Sequence, residues 1–385
     1  MIRCMCVAFL SGFLFVAANA QSGRRIKTKP RPTPAPATKK INENVYSESR
    51  PLRPVLLTRK KRKKSRKKKK VVKTKPAKAN DGEDEIISVD SSLVTIPVSV
   101  FDKNGIYIPY IKKEEFKIFE DGVEQEIAYF GPSDEPFTVA LVIDTSGSTQ
   151  FKIEDIHFAA KLFLRQLEAR DKVLVIQFSS GVRVNAEATN DKPKLDRAIE
   201  RARFGGSTSL YRAVEFTLRK RMNKIKGRKA IVLFTDGVDT SNWRNGYRRN
   251  YKDAEESDTL IYPVFYNTFL GGISGGTVMS SPFPTIGGGV QNARAQTFGK
   301  SYLETLAAFT GGRLFRAGGS RALLAQAFRG IARELRTQYN IGYSPINAGE
   351  TGERKQIKVR VYRPNLRVRA RDSYIVGEAK TDTNN

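Results

Sequence analysis

The chain has 385 residues and 39% hydrophobic residues, enough for two domains with a sizeable core, which excludes disorder along its whole length. Its formal net charge of +29 is concentrated near the start, because residues 21–80 hold 23 Lys and Arg against two Glu. Both cysteines, Cys4 and Cys6, stand among the first ten residues, which excludes a disulfide scaffold or a thiolate metal site in the remainder.

The first twenty residues have the layout of a cleaved secretory signal. Arg3 precedes an apolar stretch from about Val7 to Val16, and Ala18 and Ala20 supply the small residues of a cleavage site. This stretch is too short to span a bilayer comfortably, and an uncleaved anchor is the alternative. We expect a signal peptide at residues 1–20, no transmembrane segment after its removal, and a secreted or periplasmic product.

Residues 21–84 are predicted to form a disordered basic linker, because a stretch rich in Lys and Pro has little to bury and repels itself. The run from Lys60 to Lys70 has two interpretations. It binds an anionic surface or polyanion, such as phospholipid headgroups, acidic polysaccharide or extracellular DNA, or it is a solvated tether. No aromatic residue interleaves the run, so no specific nucleic-acid recognition is expected.

Two distant segments show the alternation of half-buried strands. Apolar side chains recur with a period of two from Val94 to Val100, and again near Ile341 and Val359. Each fragment is small for a domain, so we predict that residues 85–133 and 337–378 pair into one β-sandwich. Residues 379–385 are predicted to be a disordered tail.

The segment between them, residues 134–336, alternates apolar runs with amphipathic helices. The runs begin near Phe137, Val173, Ala230 and Leu260. This alternation predicts an α/β fold with a doubly wound, mostly parallel sheet, inserted in the sandwich. The Gly- and Ser-rich stretch from Thr268 to Ser301 has no clear periodicity and is predicted to be a surface loop.

Oxygen-bearing side chains gather where the predicted strands end. Asp144, Ser146 and Ser148 follow the first apolar run, Asp236 follows the third, and Thr208 precedes a helix. Ligands of open α/β sheets gather at the carboxyl ends of the strands, so these five side chains are predicted to meet. Carboxylates and hydroxyls without His or Cys favour a hard ion, Mg²⁺ or Mn²⁺.

This pattern resembles the metal-ion-dependent adhesion site of von Willebrand factor type A domains, and the similarity covers roughly residues 86–377. Flanking motifs around Glu120 and from Ala332 to Tyr343 resemble secreted bacterial proteins built on such a domain. The resemblance implies that the hydroxyls and aspartates bind the metal and that a protein partner completes its shell with an acidic oxygen. The chain reads Gly205-Gly206-Ser207-Thr208, one residue longer than the usual Gly-Gly-Thr, so Ser207 is an alternative to Thr208.

Two other functions compete with metal-dependent recognition. One is a polyanion-binding protein that acts through its basic segment, with the α/β part as a scaffold. The other is a phosphohydrolase with Asp144 as nucleophile, but that chemistry usually needs a second Asp where Ser146 stands. The only histidine, His157, falls within a predicted helix, and no Ser-His or Cys-His pair is supported, so we predict a binding protein and not an enzyme.

Trp243 has two interpretations, a rim contact or cover for a helix edge.

Overall fold

The computed structural model describes residues 46–50, 93–131, 135–147, 153–203, 205–241, 246–266, 288–317 and 320–376, with the side chains of 288–293 left undescribed. The predicted signal peptide, the run from Lys60 to Lys70 and the predicted tail lie outside these residues. Among the helices in the described ranges, none is both long and apolar enough to cross a membrane.

Fifteen strands and six α-helices can be named in the described parts of the chain. The strands are Ser47–Glu48 (β1), Val94–Phe101 (β2), Phe116–Glu120 (β3), Val123–Gln125 (β4), Ile127–Gly131 (β5), Phe137–Asp144 (β6), Lys172–Phe178 (β7), Val182–Thr189 (β8), Arg228–Thr235 (β9), Leu260–Phe265 (β10), Phe315–Arg316 (β11), Tyr339–Tyr343 (β12), Arg354–Val361 (β13), Arg367–Arg369 (β14) and Ser373–Ile375 (β15). The helices are Ile153–Arg165 (α1), Lys192–Glu200 (α2), Leu210–Glu215 (α3), Gly246–Glu256 (α4), Gly288–Thr310 (α5) and Arg321–Thr337 (α6), with a π-helical stretch at Phe216–Arg221 after α3.

The central segment forms one six-stranded sheet in the order β11-β10-β9-β6-β7-β8. Every neighbouring pair is parallel except β7 and β8. Only three residues separate β7 from β8, too few for the crossover that parallel strands need, so β8 returns antiparallel. The α/β fold agrees with the prediction, and the sheet is mixed at this edge.

Helices cover both faces of this sheet. Apolar side chains of α1, α2 and α6 pack on one face, around Phe163, Leu195 and Phe328. Those of α3, α4 and α5 pack on the other, around Leu210 and Leu306. Strands buried on both faces must be apolar throughout, which explains the continuous runs in the sequence.

The prediction that residues 268–301 form a loop is wrong from residue 288 onward, where helix α5 begins. Its Gly and Ser content lowers the intrinsic helix propensity of this stretch. Further along the helix, however, Tyr302, Leu303, Leu306 and Phe309 are buried against the sheet. Tertiary packing of that apolar face stabilises the helix despite the poor propensity of its first half.

Two antiparallel sheets form a second layered unit. One has the order β1-β13-β3-β4 with β15 also paired to β13, and the other has the order β14-β2-β12-β5. Their inward side chains, among them Val98, Ile118, Ile341 and Val359, share one core. Strands before the central segment therefore pair with strands after it, as β3 does with β13 and β2 with β12. The boundaries assigned to each part remain predictions.

The prediction that residues 21–84 are disordered throughout is wrong for β1. Ser47 and Glu48 pair with Val361 and Arg360 of β13. The composition of residues 21–84 is dominated by Lys and Pro, which conceals a short segment, residues 43–49, that contains two acidic residues and no basic one. This acidic piece meets a basic strand edge, which the local composition did not reveal.

A buried carboxylate connects the two layered units. Glu255 in α4 is 1% exposed and accepts hydrogen bonds from Arg354 at 2.5 Å and from the Ser373 hydroxyl at 2.5 Å. Its backbone carbonyl also accepts a hydrogen bond from Arg371. One side chain of the α/β unit thus satisfies donors on two strands of the sandwich, so its loss affects both units.

We expect Glu255→Gln to lower the free energy of unfolding by about 1–3 kcal/mol, because an amide offers one acceptor oxygen to two donors and leaves the guanidinium charge unbalanced. Urea denaturation checks this. The matched control is Glu256→Gln at the next position, where the carboxylate pairs with Lys252 in the same helix at 3.3 Å. That variant should stay within about 0.5 kcal/mol of wild type. Equal effects of the two substitutions would contradict the connecting role of Glu255.

Candidate metal centre

Two aspartates follow adjacent strands at the carboxyl edge of the α/β sheet. Strands β6 and β9 are parallel neighbours with Ile143 opposite Phe234, so Asp144 lies opposite Thr235 and Asp236 follows one residue beyond. Asp144 is 0% exposed and Asp236 is 2% exposed. The ends of adjacent strands therefore carry two buried carboxylates, close enough for the charge of Asp236 to affect the pKa of Asp144.

Asp144 is held by donors on both of its carboxylate oxygens. The backbone N–H of Ser146 donates to Oδ1 at 3.0 Å, and the Thr235 hydroxyl donates to Oδ2 at 2.7 Å. Burial, and after it the nearby charge of Asp236, raise the pKa of Asp144 to about 7, although the hydrogen bonds from Ser146 and Thr235 oppose the rise. A cation between the two carboxylates would favour their ionised forms.

The loop before α3 is fastened to the loop that follows β6. The backbone N–H of Gly205 donates to the Thr145 carbonyl at 2.8 Å, and that of Gly147 donates to the Gly206 carbonyl at 3.4 Å. A Cβ atom on Gly205 would lie 2.0 Å from the Ser179 hydroxyl oxygen, so glycine permits this approach. These bonds bring the predicted third ligand toward Asp144.

Residues 239–241 clamp Thr208 in place. The Thr208 N–H donates to the Thr240 hydroxyl at 2.7 Å, and the Thr208 carbonyl accepts from the N–H groups of Thr240 at 2.9 Å and Ser241 at 3.2 Å. Asp239 in turn accepts hydrogen bonds from the Tyr211 N–H at 2.8 Å and from the Ser241 hydroxyl at 2.5 Å. All the Thr208 bonds use its backbone, so its hydroxyl has no role in the clamp.

Burial distinguishes the two candidates for the third ligand. Thr208 is 5% exposed, whereas Ser207 is exposed to solvent. The clamp acts on the backbone of Thr208 and fixes its position relative to the loop that carries Asp236. Thr208 and Ser207 thus differ in burial, and the assignment of Thr208 as the third ligand stays a prediction.

A glycine pair supports the loop that carries Asp236. Gly237 has φ +80°, in the left-handed region, and a Cβ on it would lie 2.8 Å from the backbone of Gly299 in α5. A Cβ on Gly299 would lie 2.2 Å from the Gly237 carbonyl oxygen. Helix α5 therefore packs its backbone directly against the site loop, which only two glycines permit.

Four of the five predicted ligands lie in the described residues: Asp144, Ser146, Thr208 and Asp236. Ser148 and Trp243 lie outside them. His157 is in α1, where burial lowers its pKa. In the described ranges, no group of three or more His, Cys, Asp or Glu side chains could hold a metal ion, so this candidate site depends on two carboxylates supplemented by hydroxyls.

Sequence reasoning missed Thr235, the Asp239-to-Ser241 clamp and Gly299. Thr235 had a usable signal, because it stands just before Asp236 and its register opposite Asp144 follows once the two strands are paired. The clamp had only a weak signal, since Asp, Thr and Ser are common in turns. Gly299 had none, because its contact with Gly237 joins positions 62 residues apart.

Part of the chain matches a known protein family. Residues 139–239 match the family model of the von Willebrand factor type A domain. Residues 139–239 of the central segment belong to a von Willebrand factor type A domain. The matched residues include all five predicted ligands and end at Asp239, the first residue of the Asp239-to-Ser241 clamp.

Solved structures of similar proteins were also found. A von Willebrand factor type A protein from Catenulispora acidiphila is 13% identical, with 76% of each chain covered and a TM-score of 0.42. An aerotolerance-related membrane protein from Bacteroides fragilis NCTC 9343 is 17% identical, with 52% of this chain and 98% of that chain covered and a TM-score of 0.38. The von Willebrand factor domain of the type V pilus tip protein Mfa5 from Porphyromonas gingivalis is 12% identical, with 51% and 94% covered and a TM-score of 0.37. The comparison with curated proteins gives no match.

The raised pKa of Asp144 makes the stability of the von Willebrand factor type A domain depend on pH when metal is chelated. The folded pKa of about 7 lies above the ordinary value of 3.8, so the folded state holds a proton that the unfolded chain releases. Stability from this group is full in acid and is lost as pH rises through about 7. Relative to Asp144→Asn, the wild type should lose on the order of 2 kcal/mol between pH 5 and 7.

Urea denaturation of both proteins in chelator at several pH values measures this difference. Glu154→Gln, which replaces an exposed carboxylate in α1, is the control and should follow the wild-type profile. Parallel profiles for wild type and Asp144→Asn would show that Asp144 has no raised pKa.

Proposed function

We propose that the von Willebrand factor type A domain binds a divalent cation, Mg²⁺ or Mn²⁺, and through it an acidic side chain of a partner protein. Asp144, Ser146, Thr208 and Asp236 would hold the ion. The observation that carries this proposal is the pair of buried aspartates at adjacent strand ends. The bound ion supplies a positive centre with exchangeable positions for an external oxygen.

The donor set suits an ion that must still attract an anion. Part of the Asp144 charge is already balanced by the Thr235 hydroxyl and the Ser146 N–H. Hydroxyl ligands add no charge, so the two carboxylates leave the ion electrophilic. An acidic group from a partner is therefore attracted, and recognition needs no bond breaking.

Binding is a better fit than catalysis for this set of side chains. Ser146 stands where an aspartyl nucleophile usually has its acid/base partner, and Ser146 is 1% exposed among the site loops. His157 gives no support for catalysis either. It lies near Lys161 and Glu200 on the α1 side, and burial lowers its pKa and so disfavours its charged form. The proposal is therefore a non-enzymatic adhesion-type module, secreted or periplasmic by virtue of the predicted signal peptide.

Titration calorimetry of Mg²⁺ and Mn²⁺ into the purified protein tests the metal site. We expect saturable binding to the wild type and none to the Asp144→Ala, Ser146→Ala double variant, because it lacks a carboxylate and a hydroxyl of the site. Circular dichroism of both proteins controls for folding. Absence of saturable binding to a folded wild type would contradict the proposed metal site.

The third ligand is tested by a matched pair of substitutions. Thr208→Ala removes a buried hydroxyl but keeps the backbone clamp, and it should weaken Mg²⁺ binding about tenfold or more, as expected for the loss of one ligand. Ser207→Ala, at the exposed neighbouring position, should leave the affinity unchanged. The opposite ranking in calorimetry would assign the ligand to Ser207.

A further inference from the structure

The segment Tyr46–Arg50 occupies an edge of the sandwich that belongs to strand β13. Ser47 lies opposite Val361 and Glu48 opposite Arg360 in an antiparallel ladder. The Ser49 N–H extends the pairing by donating to the Val359 carbonyl at 2.8 Å. The edge of β13 is thus covered by a strand of only two residues and its flanks.

Two serine side chains add hydrogen bonds that an ordinary strand would lack. The Ser47 hydroxyl donates to the Arg363 carbonyl at 2.7 Å and accepts from the Leu366 N–H at 2.9 Å. The Ser49 hydroxyl accepts from the Val359 N–H at 2.9 Å. Both serines are buried, so the β13 edge accommodates hydroxyl-bearing side chains at alternate positions of the paired segment.

Charge and an aromatic ring complete the recognition. Glu48 accepts from Arg360 at 2.7 Å and pairs with Lys358 at 3.6 Å. The Tyr46 ring lies 4.9 Å from the Arg360 guanidinium and 5.9 Å from the Tyr362 ring. The basic edge of β13 therefore matches residues 46–49, which have the pattern aromatic, hydroxyl, acidic, hydroxyl.

These contacts are all local to five residues, and 42 residues separate Arg50 from Leu93. A chain of that length reaches up to about 140 Å when extended, far enough to meet a neighbouring molecule. None of the contacts depends on which molecule supplies the segment. We propose that the β13 edge is a strand-accepting surface that also takes Tyr46–Arg50 from a second copy of the chain.

The segment and the β13 edge belong to one chain, so the protein concentration decides how often exchange between chains occurs. Attachment to the same chain gives the segment an effective concentration on the order of millimolar at its own edge, so the segment of the same chain prevails in dilute solution. The fraction supplied by a second copy then rises in proportion to protein concentration. Exchange joins donor and acceptor surfaces that differ, so it yields reciprocal dimers or open chains where molecules are crowded.

Disulfide trapping between two chains tests the exchange. In a background with Cys4 and Cys6 replaced by Ser, one protein carries Glu48→Cys and the other carries Arg360→Cys, two positions that face each other in the ladder. The two are mixed under oxidising conditions and separated on a non-reducing gel. The matched control replaces the second protein with Lys194→Cys, an exposed position on helix α2, which packs against β7 and β8 of the α/β sheet.

We expect a mixed dimer with Arg360→Cys whose fraction rises about tenfold when the concentration rises from about 10 to 100 μM. Ser49→Pro in the Glu48→Cys chain should abolish it, because proline removes the N–H that bonds Val359. A double variant with both cysteines in one chain should close an internal disulfide. Dimer yields equal to those of Lys194→Cys would overturn the exchange, and failure of the double variant to close would overturn the docking itself.

Discussion

The juxtaposition of two carboxylates at the ends of adjacent parallel strands is the constraint on which the rest of the site depends. Asp144 and Asp236 are fixed by the register of β6 and β9, which the apolar core on both faces of the sheet enforces. Neither side chain can withdraw into water, because both are buried. The repulsion is reduced by the Thr235 hydroxyl and the Ser146 N–H, or by a proton, as the raised pKa of Asp144 indicates.

The surrounding loops are organised to maintain this unfavourable arrangement. Residues 239–241 hold Thr208 by its backbone, and Gly205 and Gly147 join the loop of Thr208 to that of Asp144. Helix α5 supports the remaining loop through the Gly237 and Gly299 contact. Three loops of different origin therefore share their hydrogen bonds with one another, which limits how far the loops can separate.

The sequence predicted those features that have a local period or a local chemical signature. Continuous apolar runs predicted buried strands, and Asp144 and Asp236 were found because each directly follows such a run. Helix α5 was missed because its first half has poor propensity and the burial of Tyr302 and Leu306 that stabilises it is a tertiary effect. Strand β1 was missed because the basic residues around it dominate the composition, while its pairing with Arg360 depends on a residue more than 300 positions away.

The two ends of the central segment are held to the sandwich by contacts between residues far apart in the sequence. Strand β5 leads into the segment and β12 leaves it, and the two are hydrogen-bonded with Asn340 opposite Gly131. Gln338, just after α6, donates to Ser99 of the sandwich and to Tyr262 of the α/β sheet at 2.7 Å. Any shift of α6 along its axis must break these bonds or move β12 with it. Glu255 of α4 joins the same two units. The sandwich therefore holds the von Willebrand factor type A domain at the end of the sheet where β5 leads into β6. The candidate site lies on loops at the other end of the sheet, where β6 and β9 finish.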